Sequence, residues 1–175
     1  MAEIKSALEI ALERAAALGS GEDDSKREAQ EKGQALARQS LGGDLAPTDM
    51  AEQLAGLPTA STGAAARALL EALEQGREGA LPGLEAICPP GPAREACQGL
   101  TQAQARREQT RLEVEAELAK EMAGELAAKG IGGNAIRPNP LAHPEYEARR
   151  GAAMAGAEAE LKAAGERLVI AMGCG

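Results

Sequence analysis

Alanine dominates the apolar side of this sequence, and that limits how the chain can bury itself. Of the 77 residues in its 44% apolar fraction, 40 are alanine, beside 20 leucines, six isoleucines, two valines, five methionines and three cysteines. One tyrosine is the only aromatic. Leucine, isoleucine, valine and phenylalanine together are 28 of 175 residues, about 16%, below the level at which a self-sufficient core is the ordinary expectation. A buried methyl group contributes about 0.8 kcal/mol, against about 2 kcal/mol for a buried leucine side chain. Such a chain gains stability by bringing helix backbones close together over alanine and glycine, or by covering its apolar faces with another chain; otherwise segments stay unpacked. With two valines and six isoleucines and no alternating pattern, β structure is not expected. The fold class is all-α, with Ala/Gly-rich helices that include a long antiparallel helical hairpin, and a loop-rich middle.

Three segments follow from periodicity and breakers, all within one domain. Residues 1–43 form an N-terminal helical arm. Ile4, Ala7, Leu8, Ala11, Leu12, Ala15 and Leu18 recur at helical spacing, Lys5 and Glu9 pair at i,i+4, and Gly19-Ser20-Gly21 stops the run. Residues 22–40 are charged, with Leu36 as the one large apolar side chain, and read as a frayed, solvated helix; 20–62 is expected to be the most mobile region. Residues 44–91 are loop-rich. Asp49 with Glu52 reads as a capping pair for a short helix ending before Pro58, and Thr62 caps a better one over 63–75 that stops at Gly76. No regular element survives Cys88-Pro89-Pro90-Gly91.

Residues 92–175 make the hairpin. Pro92 suits the first position of a helix, where its missing N–H costs nothing, and that helix runs to Lys129. Leu112, Ala116, Ala119, Met122, Ala123 and Leu126 share one face, widened by Val114 and Leu118. Three glycines with Pro138 and Pro140 make 130–140 an irregular connector. A last helix runs from near Pro144 to Met172, and Gly151, Ala155, Gly156 and Ala159 on it allow a partner helix to approach closely.

The charge is 19 Lys+Arg against 27 Asp+Glu, a net −8. No segment carries a basic stripe and one aromatic gives no stacking platform, so nucleic acid is not expected as a partner. No stretch approaches the roughly 18 apolar residues of a membrane span, so no membrane insertion is expected. Residues 1–18 carry five charges and no uncharged core of a signal peptide, and three cysteines give no even disulfide framework. The expected location is the cytoplasm.

The opening MAEIKSALEIALERA (1–15) and GIGGNAIRPN (130–139) resemble segments of a family of small, helical, uncharacterised bacterial proteins. That resemblance implies a bacterial cytosolic setting and marks 130–139 as a segment where sequence matters. It implies no activity.

Few residues name chemistry. Cys88, Cys97 and Cys174 with His143 form a three-sulfur, one-nitrogen set that suits zinc, without the Cys-x-x-Cys spacing of a knuckle. The plainer reading makes Cys88 and Cys97 small buried hydrophobes, and a disulfide is the third alternative. His143 is the only histidine, placed to precede the last helix, and no nucleophile is named beside it. Tyr146 with Arg149 and Arg150 is a candidate partner-docking patch, since Tyr and Arg lead interface hot spots; the alternative is that Tyr146 seals the hairpin against the 130–139 connector. Gly130-Ile131-Gly132-Gly133-Asn134 lacks the Lys-Ser/Thr of a phosphate loop, and one histidine excludes a di-iron Glu-x-x-His pattern. No cofactor and no catalytic residue are indicated. The expected function is a non-enzymatic helical interaction or assembly protein, of coiled-coil type, acting on itself or another protein. The alternative is a small cysteine-based redox or metal-binding protein.

Overall fold

The computed structural model describes residues 21–131, 133 and 137–173. The helix expected over 1–18 lies outside them. Six α-helices occur among the described residues: α1 (Gly21–Gly42), α2 (Pro47–Ala55), α3 (Thr59–Glu74), α4 (Ala80–Ile87), α5 (Pro92–Ala128) and α6 (Tyr146–Ala171), with a 3-10 turn at Pro140–Ala142 before the last. The fold is all-α. The chain divides into two compact units, Met1–Ile87 with Gly173–Gly175, and Cys88–Met172. Residues 21–43 and 44–87 thus meet in one unit.

The first unit is organised by α1 packed along α3. Residues 22–40 are therefore not a solvated, frayed helix. The contact uses no large side chain from α1: Ala29 and Ala37 are buried to 5% and 0% exposure, with Gly33 buried between them at the same four-residue spacing. Leu36, the residue that stood out by size, is only half-buried. Gly33 meets Ser61 of α3 so closely that a Cβ would lie 2.0 Å from the Ser61 carbonyl oxygen and 2.7 Å from its carbon. Only glycine fits there. Small-residue crossings are easy to miss in sequence, because the signal is a missing side chain.

Residues 44–91 hold three helices rather than mainly loop. Pro47 opens α2 behind Ala46, which makes no side-chain cap, and Asp49 sits in the first turn, where a carboxylate favours the helix dipole. Pro58 fixes the entry to α3, its carbonyl accepting from the Ser61 N–H at 2.8 Å, so the helix starts at Thr59, ahead of the expected Thr62 cap. Gly76, at φ +85°, ends it: the Gly76 N–H reaches the Leu73 carbonyl at 3.0 Å and the Arg77 N–H reaches Ala72 at 2.9 Å. Pro82 is tolerated in α4 as its third residue, where N–H groups have no acceptor within the helix. Met50, Leu54, Leu69, Leu73 and Leu84 form the apolar centre. Gly83 lets α4 approach it, since a Cβ there would stand 3.2 Å from the Leu69 methyls.

The second unit is the expected hairpin. Gly91, at φ +98°, turns the chain into Pro92 and α5. Ion pairs show that α5 and α6 run antiparallel: Arg106, in the first half of α5, holds Glu160 in the second half of α6 at 3.1 Å, while Glu121, toward the end of α5, holds Arg149 in the first turn of α6 at 2.7 Å. The buried seam steps by three and four residues, through Cys97, Leu100, Val114 and Leu118 on α5 and Met154, Leu161, Ala164 and Leu168 on α6. Between Leu100 and Val114 only Ala103 is fully buried, and Gln104, Arg107 and Arg111 at the same spacing are half-buried, so the middle of the seam is largely polar. Here the expected face of α5 is displaced. Val114 and Leu118, read as its edge, are what α6 covers, whereas Leu112 is 50% exposed and Ala116 and Ala123 face solvent. The stripe Gly151, Ala155, Gly156 and Ala159 is likewise exposed, and a Cβ at Gly151 or Gly156 would meet nothing within 4 Å.

The α1–α3 crossing yields a matched pair of predictions. Gly33→Ala forces a methyl into main chain and is expected to cost about 3 kcal/mol. Ser61→Ala acts oppositely. The buried Ser61 hydroxyl has no hydrogen-bond partner among the described residues, and removing it is expected to gain about 1 kcal/mol. Urea unfolding followed by circular dichroism reads both, and a stable Gly33→Ala protein contradicts the close crossing.

Candidate functional site

The residues with polar chemistry collect where the connector delivers the chain to α6. The Asn139 carboxamide oxygen accepts the Leu141 N–H at 3.2 Å and holds the short turn Pro140–Ala142. His143 follows that turn, half-buried, and its Nδ1 accepts the Glu145 N–H at 3.1 Å. A neutral imidazole in that bond carries its proton on Nε2. The ring thus orders the start of α6, as the sequence suggests.

Tyr146, the first residue of α6, is buried to 7% exposure against Val114 and Leu118 of α5. Its hydroxyl donates to Glu115 at 3.2 Å. Glu115 also accepts from Arg111, which is forked between it and Glu108. The ordering is physical: Glu108, Arg111 and Glu115 lie one helical turn apart on α5, so a guanidinium in the middle reaches both carboxylates. The Arg111 hydrogen bond holds the Glu108 carboxyl below its usual range, and the two carboxylates push the Arg111 pKa further up. Burial, then the bond to Glu115, pushes the Tyr146 phenol above its ordinary value. Arg149 makes a second bridge, to Glu121 at 2.7 Å and to Glu145 at 3.2 Å. Its hydrogen bond, helped by its charge, lowers the Glu121 carboxyl below its ordinary range. Arg150 pairs with Glu147 at 3.5 Å.

The candidate docking trio is thus occupied within the chain: Tyr146 closes the hairpin, and Arg149 and Arg150 each hold carboxylates. The arrangement is a polar clasp. Nothing in it aligns a base with a nucleophile.

The structure also places three of the four proposed metal ligands. Cys88 lies just before the Pro-Pro-Gly turn and Cys97 in the first turns of α5, buried to 4% and 3% exposure and not joined in a disulfide. Among the described residues no three His, Cys, Asp or Glu side chains gather to hold a metal ion, so Cys88, Cys97 and His143 are not brought together. Cys174 lies outside the described residues. No helix among them is long and apolar enough to cross a membrane.

Sequence reasoning missed one feature, a groove of about 720 Å³ between α1 and α3 lined by Lys26, Gln30, Gln34, Arg38, Arg67 and Arg77, among others. The signal was present in the i,i+4 line Lys26, Gln30, Gln34, Arg38, but nothing in the sequence paired it with α3.

The clasp predicts a graded response. Tyr146→Phe keeps the packing and loses one hydrogen bond to a carboxylate, at about 1 kcal/mol, while Tyr146→Ala empties the space at about 3 kcal/mol. The phenol's folded pKa is raised, so its contribution is complete below about pH 10 and falls away as pH rises through the unfolded and then the folded value. Phenolate absorbance of this single tyrosine is expected to appear at higher pH in the native protein than in urea. Coincident titrations would show that the ring is not buried.

Comparison of the chain with protein-family models, with curated proteins and with solved structures returns no match, so the functional reading rests on the chain's own residues.

Proposed function

We propose that this chain is a non-enzymatic helical protein that works by binding other chains, and that the outer face of the α5–α6 hairpin is its working surface. One observation carries the reading. α5 has two apolar stripes, and α6 covers only the one through Val114 and Leu118. The second runs through Leu112, Ala116, Ala119 and Ala123, with Leu112 half exposed. On α6 the outward residues Ala152, Ala155, Gly156 and Ala159 are small, and Ile170 beyond them is 73% exposed. The inward spacing of three and four residues is that of a coiled-coil hairpin, and such hairpins bury a second stripe by pairing.

The occupant favoured by these residues is a second copy. The leucine of one α5 stripe complements the small residues of an α6 stripe, which permit close approach. The 26 residues of α6 span about 39 Å at 1.5 Å each. Two helices about 10 Å wide along that length offer roughly 800 Å² per partner, the area of a standard specific interface. The clasp supports a binding rather than a catalytic role: its charges are matched within the chain, and the His143 Nδ1 is engaged by main chain.

Native mass spectrometry of the full chain tests this. Masses at integer multiples of 17.9 kDa are expected, with collapse to single chains in a Leu112→Glu/Gly156→Glu variant whose helical circular dichroism is unchanged. An added polypeptide lost in the same variant would keep the interaction reading and reject self-pairing. A bare monomer at every concentration, with no polypeptide bound, would overturn it.

A further inference from the structure

The groove between α1 and α3 has a charge opposite to that of its surroundings. The chain carries a net −8, and residues 44–91, which supply α3, hold seven carboxylates against two cations. Both of those cations, Arg67 and Arg77, line the groove, and α1 adds Lys26 and Arg38. Glu71 is the one carboxylate among the described lining residues, and it accepts a hydrogen bond from Gln75 at 3.4 Å. The buried small residues Gly63, Ala64 and Ala72 close the base of the groove, so a ligand there is held by the exposed side chains of its walls. From these observations we infer that the groove binds an extended acidic peptide segment of another protein.

The spacing of the groups selects that ligand over other anions. Lys26 and Arg38 stand twelve residues apart on α1, about 18 Å along the helix. A single phosphate or carboxylate would need donors converging on one point, and these cations are strung out along a line. An extended peptide of about six residues spans the same 18 Å at roughly 3.3 Å per residue, with alternate side chains on one face. Gln30, Gln34 and Thr59 supply donors and acceptors, which suit the exposed N–H and C=O groups of an extended chain. A helical ligand has already satisfied its own main chain and would leave those amides unused. Nucleic acid would match the charge but finds no aromatic ring in the groove on which to stack. This inference involves residues of the first unit and does not depend on the hairpin reading.

Fluorescence anisotropy of a labelled hexapeptide of alternating glutamate and alanine, titrated with the full chain, tests it. Saturable binding is expected that weakens as salt rises, since exposed charge pairs are screened. A Lys26→Glu/Arg38→Glu variant is expected to lose about tenfold or more in affinity, because both contacts turn repulsive. Both positions are exposed, and circular dichroism checks that the helices persist; should they not, Lys26→Gln/Arg38→Gln reads the same loss in milder form. Absence of saturable binding at low salt, or equal affinity in a folded variant, would overturn the proposal. So would a labelled oligothymidylate that binds more tightly and depends on the same two residues. Oligomer masses from the hairpin experiment would be unaffected by any of these results.

Discussion

How close two helix backbones can come decides what this chain is able to build. A core of leucines fills the space between helices with side chains; a core of alanines fills it only when the helices close the distance. At Gly33 and Ser61 that distance is at its limit, with main chain against main chain and no room for a Cβ. Ala29 and Ala37, one turn to either side, are sealed by the same approach. A charged helix with no large apolar stripe is thereby tied to α3. The groove follows from the same geometry, since long polar side chains flanking a tight crossing form walls over a shallow, small-residue floor.

The hairpin solves the shortage of apolar residues differently. Its seam is apolar near both ends and polar in the middle, where Gln104, Arg107 and Arg111 take positions that leucine would fill in a more stable pair. The Gln104 carboxamide oxygen is buried there without a hydrogen-bond partner among the described residues. Such a layer costs stability relative to an apolar one. Arg106–Glu160 beside that polar layer and Arg149–Glu121 toward the connector agree on one antiparallel register. Tyr146 adds the only aromatic packing, at the closed end of the loop.

Much of this was legible from residues alone, and the misses share a cause. Breakers worked well: Gly76, Gly91-Pro92 and the region after Lys129 end and begin helices where local chemistry demands it. Size did not. Weighting helices by large apolar residues made 22–40 look solvated and gave the wrong face of α5 priority, because Leu112 outweighs Val114 by bulk but not by position. Prolines were over-read as well. Pro47 and Pro82 sit in first turns, where they are compatible with the helices that made 44–91 look like loop. For the candidate site, Tyr146 and His143 were placed by sequence, and their partners Glu115 and the Glu145 N–H were not, since each pairing depends on how α5 and α6 register or on a turn of the backbone. Of the cysteine set, Cys88, Cys97 and His143 are not brought together, since spacing along a chain says little about distance, and Cys174 lies outside the described residues.

The two surfaces left open differ in kind because the two units solve burial differently. Where helices touch through glycine and alanine, long side chains are pushed to the flanks, and the surface they make is polar and charged, suited to ligands read by charge and hydrogen bonding. Where helices touch through a three-and-four-residue seam, each helix keeps an outward stripe, and in an alanine-rich chain that stripe stays apolar. Burying Leu112 beside Ala116 and Ala123 against another helix removes little area per residue, so useful affinity needs many residues in line. A 37-residue α5 provides that length. The same composition that weakens the interior therefore leaves long, shallow apolar stripes outside it, and a contact made on such a stripe has to spread its small area per residue over many residues in line.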